Sequence, residues 1–180
     1  MPTYVAMLRG INVSGQKIIK MEALRASMAS LGFADVKTYV QSGNIIFKTA
    51  KASTTVLVKK IAGKILADFG HTVSVLVRTP QELADTLKHN ALLAEPGVDE
   101  ARLYVTFLAE AAPENAEMLL KPLATASEKF CIRGREIYLH CPAGYGNSKF
   151  SNNAIEKKLS AQATTRNWRT TIALCELAQL

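Results

Sequence analysis

Apolar positions change their period several times along the chain, and each change marks an element. Tyr4-Val5-Ala6-Met7-Leu8 is an unbroken apolar run of strand length, the pattern of a buried strand. Met21, Leu24, Met28 and Leu31 then recur at helical spacing, with Glu22 and Arg25 on the other side. Gly32 closes that helix, because glycine tolerates the left-handed conformation a helix end needs. Val36–Gln41 and Asn44–Lys48 read as two strands joined by Ser42-Gly43. A second helix begins near Ser53, with Val58, Ile61, Ile65 and Phe69 inward and Lys59, Lys60 and Lys64 outward. Val73, Val75 and Val77 alternate as a strand. This order, β-α-β-β-α-β, is that of the ferredoxin-like plait.

Thr79-Pro80-Gln81-Glu82 is a capping box: a threonine N-cap, proline at the first helical position and glutamate at the third. The helix it opens holds Leu83 and Leu87 inward and stops before Pro96-Gly97. The pattern then restarts. Leu103–Leu108 is a strand, Pro113 opens a helix through Met118 and Leu119, and Phe130–Arg133 with Glu136–His140 form a hairpin around Gly134. A loop from Pro142 to Asn147 leads to a helix with Ile155 and Leu159, and a last helix carries Trp168, Ile172 and Cys175. The expected fold is α+β: two tandem ferredoxin-like halves plus a C-terminal helix. The second half is divergent, its last strand short or replaced. Residues 1–78 form the first half, 79–98 a connecting helix and linker, and 99–180 the second half with the C-terminal helices.

At 180 residues, 48% hydrophobic and 21% charged, the chain can bury a full core. A net charge of +7 admits an anionic partner such as a phosphate, nucleotide or nucleic acid. No apolar run approaches the roughly 18–20 residues of a membrane span, and Met1-Pro2-Thr3-Tyr4 has no leader pattern, so a cytoplasmic protein without membrane attachment is expected. Cys131, Cys141 and Cys175 lack metal-ligand spacing, which suits reduced thiols. His71, His89 and His140 sit in separate elements, so neither a metal nor a cofactor is expected.

Candidate chemistry concentrates in two polar loops. In the plait, the end of the first strand and the turn between the second and third lie on one sheet edge. That brings Arg9, Gly10 and Asn12 to Gln41, Ser42, Gly43 and Asn44. Glycine lets backbone N–H groups approach a ligand, and arginine clamps a carboxylate or phosphate through two parallel bonds. A structural reading competes: Asn12, Ser42 and Asn44 are residue types that satisfy turn backbones. Gly10 and Gly15 have P-loop spacing, but Gln16 and Lys17 stand where lysine and a hydroxyl residue belong, which excludes a nucleotide triphosphatase of that type. Thr165-Arg166-Asn167-Trp168 reads as the lead-in to the last helix, with Thr165 or Asn167 as cap and Arg166 facing solvent or a cleft. Tyr145–Lys149 is a polar loop able to close over a ligand. No carboxylate occurs in these motifs, which suits holding a negative group rather than general acid–base work.

Leu8-Arg9-Gly10-Ile11-Asn12, Gln41-Ser42-Gly43-Asn44 and Thr165-Arg166-Asn167-Trp168, in this order, resemble the DUF1697 family of bacterial domains of unknown function. A further small-polar motif of that family falls on Tyr145, Asn147, Ser148 and Lys149. The resemblance implies two ferredoxin-like halves and no particular reaction. Ser14 departs from it, since the family more often has glycine there.

The expected function is binding of a small phosphorylated or carboxylated metabolite, with the reaction and oligomeric state open. Arg9 and Arg166 hold the anion, Gln41 and Asn44 orient it, and Gly10, Asn12, Ser42, Gly43, Lys149 and Asn167 complete the site. One alternative is single-stranded nucleic-acid binding on a plait sheet face bearing Tyr4, Ile45 and Phe47, with the Lys59–Lys64 helix tracking phosphates. The other is a structural or self-associating module.

Overall fold

In the first half Tyr4–Leu8, Asn44–Phe47 and Val75–Arg78 become strands buried on both faces, while Ala34–Tyr39 is a partly exposed edge strand. The computed structural model describes residues 1–180. It contains β1 (Thr3–Leu8), α1 (Met21–Ser30), β2 (Ala34–Tyr39), β3 (Asn44–Lys48), α2 (Thr54–Phe69), β4 (Val75–Arg78) and α3 (Pro80–Lys88). Next in the chain are β5 (Leu103–Leu108), α4 (Ala116–Leu120), β6 (Lys129–Arg133), β7 (Glu136–His140), α5 (Asn152–Leu159), β8 (Ala163–Asn167) and α6 (Trp168–Ala178). The fold is α+β, with two four-stranded antiparallel sheets ordered β2-β3-β1-β4 and β6-β7-β5-β8. The chain divides into two compact units, Met1–Ala84 with Leu174–Leu180, and Asp85–Ala173.

In the first unit, Tyr4, Ala6 and Leu8 of β1, Ile45 and Phe47 of β3, and Val75 and Val77 of β4 face α1 and α2, whose Leu24, Met28, Leu57, Ile61 and Ile65 complete the core. Side chains alternate across a strand, so Val5, Met7, Ile46 and Leu76 lie on the opposite face, and they are buried too. Ser53 caps α2 by accepting from Val56 N–H, and Gly70 ends it in the left-handed region. The capping box forms as expected: Glu82 N–H donates to Thr79 Oγ1, and Thr79 N–H to the Glu82 carboxylate. β2 starts at Ala34, earlier than its apolar pattern suggests, because a bulge between Ala34 and Lys37 interrupts the pairing with β3.

The second unit packs Leu108, Ile137, Leu139 and Ala163 against Leu120, Phe150, Ile155 and Leu159. It carries a full fourth strand, which corrects the expectation of a short or replaced one. Ala163–Asn167 pairs with β5 from Tyr104↔Asn167 to Leu108↔Ala163. Thr165-Arg166-Asn167 is therefore strand rather than a lead-in loop, and only Trp168 begins the helix. The helix expected from Pro113 starts at Ala116.

The two sheets repeat one another bond for bond where β1 and β5 end. Leu8 N–H donates to Gly43 O, and Leu108 N–H to Arg135 O, each reaching the turn of the neighbouring hairpin. Arg9 N–H donates to Ser74 O, and Ala109 N–H to Gln162 O, each reaching the residue before the fourth strand. Arg78 opposite Val5 corresponds to Arg166 opposite Val105, and each precedes a helix cap. The segment leaving the first strand differs between the copies: Arg9-Gly10-Ile11-Asn12 in one, Ala109-Glu110-Ala111-Ala112 in the other.

Candidate functional site

Asn12 organises the first polar loop. Its side-chain Nδ2 donates to Ile19 O at 3.0 Å and Gln41 O at 2.9 Å, and its Oδ1 accepts from Ile19 N–H at 2.8 Å. One amide thus closes the loop on itself and ties it to the β2–β3 turn. Between Asn12 and Lys17 the chain makes a two-residue hairpin, with Asn12 N–H to Lys17 O and Gln16 N–H to Val13 O. Its central residues, Ser14 at φ 51° and Gly15 at φ 73°, are both left-handed, the requirement of a type I′ turn. This geometry disposes of any P-loop reading, because the residues after Gly10 form a hairpin and α1 begins only at Met21.

The second loop seats against the first through Gly43. A β-carbon there would lie 2.5 Å from Ile11 Cδ1 and 3.0 Å from Leu8 Cβ, and its φ is +85°. Asn44 is fully buried, its Nδ2 donating to Tyr39 O at 2.9 Å and Ser42 Oγ at 3.2 Å. Its amide holds the turn, the use to which buried polar groups are normally put. Convergence of the two motifs is real, and asparagine-to-backbone bonds produce it.

Around that scaffold Gly10 and Gln41 are exposed, while Arg9 and Ser42 are partly buried. Four of the six non-glycine residues with positive φ lie in these two loops: Asn12, Ser14, Lys17 and Val40. Val40, β-branched at φ 51°, is the sharpest, since such residues cost about 1–2 kcal/mol there. Lys17 Nζ donates to Thr72 O at 2.9 Å.

In the second unit, Thr165 sits at the centre of a hydroxyl network. It meets Thr106 Oγ1 at 2.7 Å and Asn152 Oδ1 at 2.8 Å, and accepts from the Tyr145 hydroxyl at 3.1 Å. The loop and strand motifs of that half therefore meet as well, on the helix side of the sheet. Arg166, the next residue, points to the opposite face. It is buried rather than solvent-facing, its Nη1 donating to Thr165 O, and burial pushes its guanidinium down to about 10. Lys149 is exposed. Asn167 caps α6, its Oδ1 accepting from Thr170 N–H at 2.7 Å.

The residues proposed for base stacking lie elsewhere than expected. Tyr4 and Phe47 are buried against α1 and α2, and the Tyr4 hydroxyl donates to Ala52 O. Lys60 Nζ donates to Leu31 O over the Phe33 ring, and Lys64 pairs with Asp68 at 3.2 Å. Burial raises all three thiols, Cys141 to about 11, the reverse of an activated nucleophile. Sequence reasoning missed two cavities of about 370 and 390 Å³, neither lined by a residue of the expected anion site. They form from residues distant in sequence, which no local pattern signals.

No helix is long and apolar enough to cross a membrane. No curated protein matches the chain. Among solved structures, the conserved bacterial protein SP0830 from Streptococcus pneumoniae is similar, with 22% identity, 98% of each chain covered and a TM-score of 0.77. At that identity the likeness bears on the fold alone. Residues 1–138 match the family model described as protein of unknown function (DUF1697), and the chain belongs to that family.

Proposed function

We propose that the edge formed by Arg9, Gly10, Gln41 and Ser42 binds a small phosphorylated or carboxylated metabolite, on a scaffold held by Asn12, Gly43 and Asn44. The observation that carries this reading is the internal repeat. Both halves make the same backbone bonds after their first strand, from Leu8 and Arg9 in one and from Leu108 and Ala109 in the other. The second copy does so with Ala109-Glu110-Ala111-Ala112, so the scaffold alone requires neither Arg9 nor the left-handed Gly10. Strain points the same way. Left-handed residues outside glycine cost free energy and gather at sites where backbone geometry serves a ligand. Arg9 supplies the charge, and Gln41 a side-chain amide for the neutral part of the ligand. Arg166 and Asn167 make their hydrogen bonds within the second unit, and Lys149 stands exposed on its surface.

Each half is, in this reading, a ferredoxin-like plait. Supporting it are the element order β-α-β-β-α-β and the strand orders β2-β3-β1-β4 and β6-β7-β5-β8.

A thermal-shift screen of inorganic phosphate, sugar phosphates, nucleotides and dicarboxylates, with one short oligonucleotide, tests the site. A ligand at a hundredfold excess over its Kd stabilises by about 2.7 kcal/mol. That corresponds to a rise of roughly 5–10 °C for a chain of this length. The shift disappears in Arg9→Ala. A shift that survives in Arg9→Ala, or one from the oligonucleotide alone, refutes the proposal.

A further inference from the structure

In the second sheet β6 is an outermost strand, and it lacks the bulge that interrupts β2. It pairs with β7 in unbroken register from Lys129↔His140 to Arg133↔Glu136. The connection is Gly134-Arg135, with Gly134 at φ 58°, the glycine-first arrangement of a type II′ turn. In an antiparallel ladder alternate residues turn both backbone groups to the same neighbour. Arg135 O accepts from Leu108 N–H, and Cys141 N–H donates to Arg102 O, so both face β5. Ile137 and Leu139 therefore face β5 as well, while Glu136, Tyr138 and His140 face β6. Lys129, Cys131 and Arg133 complete those pairs. The N–H and C=O groups of Phe130 and Ile132 are left pointing out of the sheet, where no backbone partner meets them.

The chain itself closes both ends of this free edge. Ala112 N–H donates to Gly134 O at 2.9 Å, and Glu128 N–H to Thr125 O at 3.2 Å. Between them lies a slot one tripeptide long. A cavity of about 390 Å³ opens along it, with Phe130 and Cys131 as its strand wall. Ala91 and Leu92 line the Cys131 side, and Ala124 lines the Phe130 side. The cavity's charged side chains, Lys121 and Lys129 against Glu95 and Glu128, cancel, and Lys129 already meets Glu95 at 3.5 Å. At the turn end Arg133 and Arg135 match Glu114 and Glu117. A neutral lining suits an uncharged occupant. We propose that the slot takes an extended, uncharged segment of a partner protein, which adds antiparallel to β6. Strand addition of this kind draws affinity from main-chain bonds and specificity from alternate side chains. The outer two residues of a tripeptide exchange hydrogen bonds with Phe130 and Ile132 and set apolar side chains beside them. The middle residue opposes Cys131 and points a small side chain toward Ala91 and Leu92. A second copy of this chain fits poorly. Two β6 strands meeting through both free residues would set Lys129 opposite Arg133 of the other copy, like charges directly opposed. The loops that close each slot would also collide. The assignment is independent of the Arg9 edge.

The probe is acetyl-Ser-Val-Ala-Val-Ser-amide, titrated into ¹⁵N-labelled full-length protein. The expected result is saturable binding, with amide shifts centred on Leu92, Phe130 and Ile132. N-methylation then separates strand addition from the filling of a pocket. Methylating either valine nitrogen, which faces β6, weakens binding at least about fivefold, because a donor is lost and a strand carbonyl stays unpaired. Methylating the alanine nitrogen, which faces away, changes affinity by less than about twofold, since no hydrogen bond is lost. Ile132→Pro removes one outward N–H while sparing the ladder, at the kind of position where edge strands accept proline. It weakens the unmethylated peptide by a similar factor. Absence of saturation, equal effects of the two methylations, or shifts centred on the Arg9 loop overturns the proposal. So does a dimer in sedimentation that the peptide dissociates, which would make a second copy the occupant. The Arg9 site stands or falls by its own thermal-shift screen.

Discussion

Replacing Gly43 by alanine perturbs one carbon in two separable ways. The backbone stands at φ +85°, where a side chain costs about 1–2 kcal/mol. The added β-carbon also meets Ile11 Cδ1 at 2.5 Å, with Ile11 Cγ1 and Leu8 Cβ both at 3.0 Å. Ile11 is 1% exposed and Leu8 fully buried, so neither has room to retreat, and overpacking of this kind costs about 1–3 kcal/mol. Together the substitution destabilises by roughly 2–5 kcal/mol, a large part of the ~5–15 kcal/mol that holds a typical domain together. Equilibrium urea unfolding measures this directly, and the melting temperature falls by roughly 5–15 °C. The two parts separate in a double-mutant cycle with Ile11→Val, which deletes the Cδ1 atom at 2.5 Å. In that background Gly43→Ala costs about 1 kcal/mol less, because the φ penalty persists while the worst contact is gone. A cost below about 1 kcal/mol for Gly43→Ala alone, or no coupling to Ile11→Val, would falsify the account of how the two loops dock.

Asn12→Ala removes three side-chain hydrogen bonds and lowers unfolding free energy by about 2–4 kcal/mol. Asn12→Asp keeps the acceptor and loses both donors, so denaturant midpoints fall in the order wild type, Asp, Ala. Thr79→Ala and Asn167→Ala remove matched helix caps and cost about 1 kcal/mol each, additively within error in the double variant. Burial raises the Cys141 thiol from its ordinary 9.0 to about 11. Its folded value exceeds its unfolded one, so its contribution is complete below pH 9 and is lost as pH rises toward 11. The wild-type urea midpoint therefore falls more steeply between about pH 8.5 and 10.5 than that of Cys141→Ala, and parallel curves would discount the buried thiol.

Strand β5 was legible to its last residue because Leu103–Leu108 is apolar at every position but Thr106. Ser53 and Thr79 were legible because capping chemistry is local. β8 was not, since Ala163-Thr164-Thr165-Arg166-Asn167 shows no apolar alternation. It is a strand because β5 pairs with it and because Thr106, Tyr145 and Asn152 satisfy the Thr165 hydroxyl from elements far away in sequence. The polar loops were found by composition, but their roles divided only on seeing partners. An asparagine that binds a ligand and one that binds a carbonyl look alike in a sequence. Asn12 and Asn44 proved to bind carbonyls, which leaves Arg9 and Gln41 as the residues proposed for chemistry. The cavity of about 370 Å³ had no sequence signal, because its lining residues Ile46 and Leu177 lie far apart in the chain.

The bulge between Ala34 and Lys37 also interrupts an open edge of the sheet. β2 is the outermost strand of its sheet, with one row of backbone groups that could template another chain. The register break between Ala34 and Lys37, with charged Asp35 and Lys37 on either side of Val36, interrupts the flat ribbon that an incoming strand would need. A chain straightened through this segment would present a continuous hydrogen-bonding edge of the kind a second strand needs in order to pair.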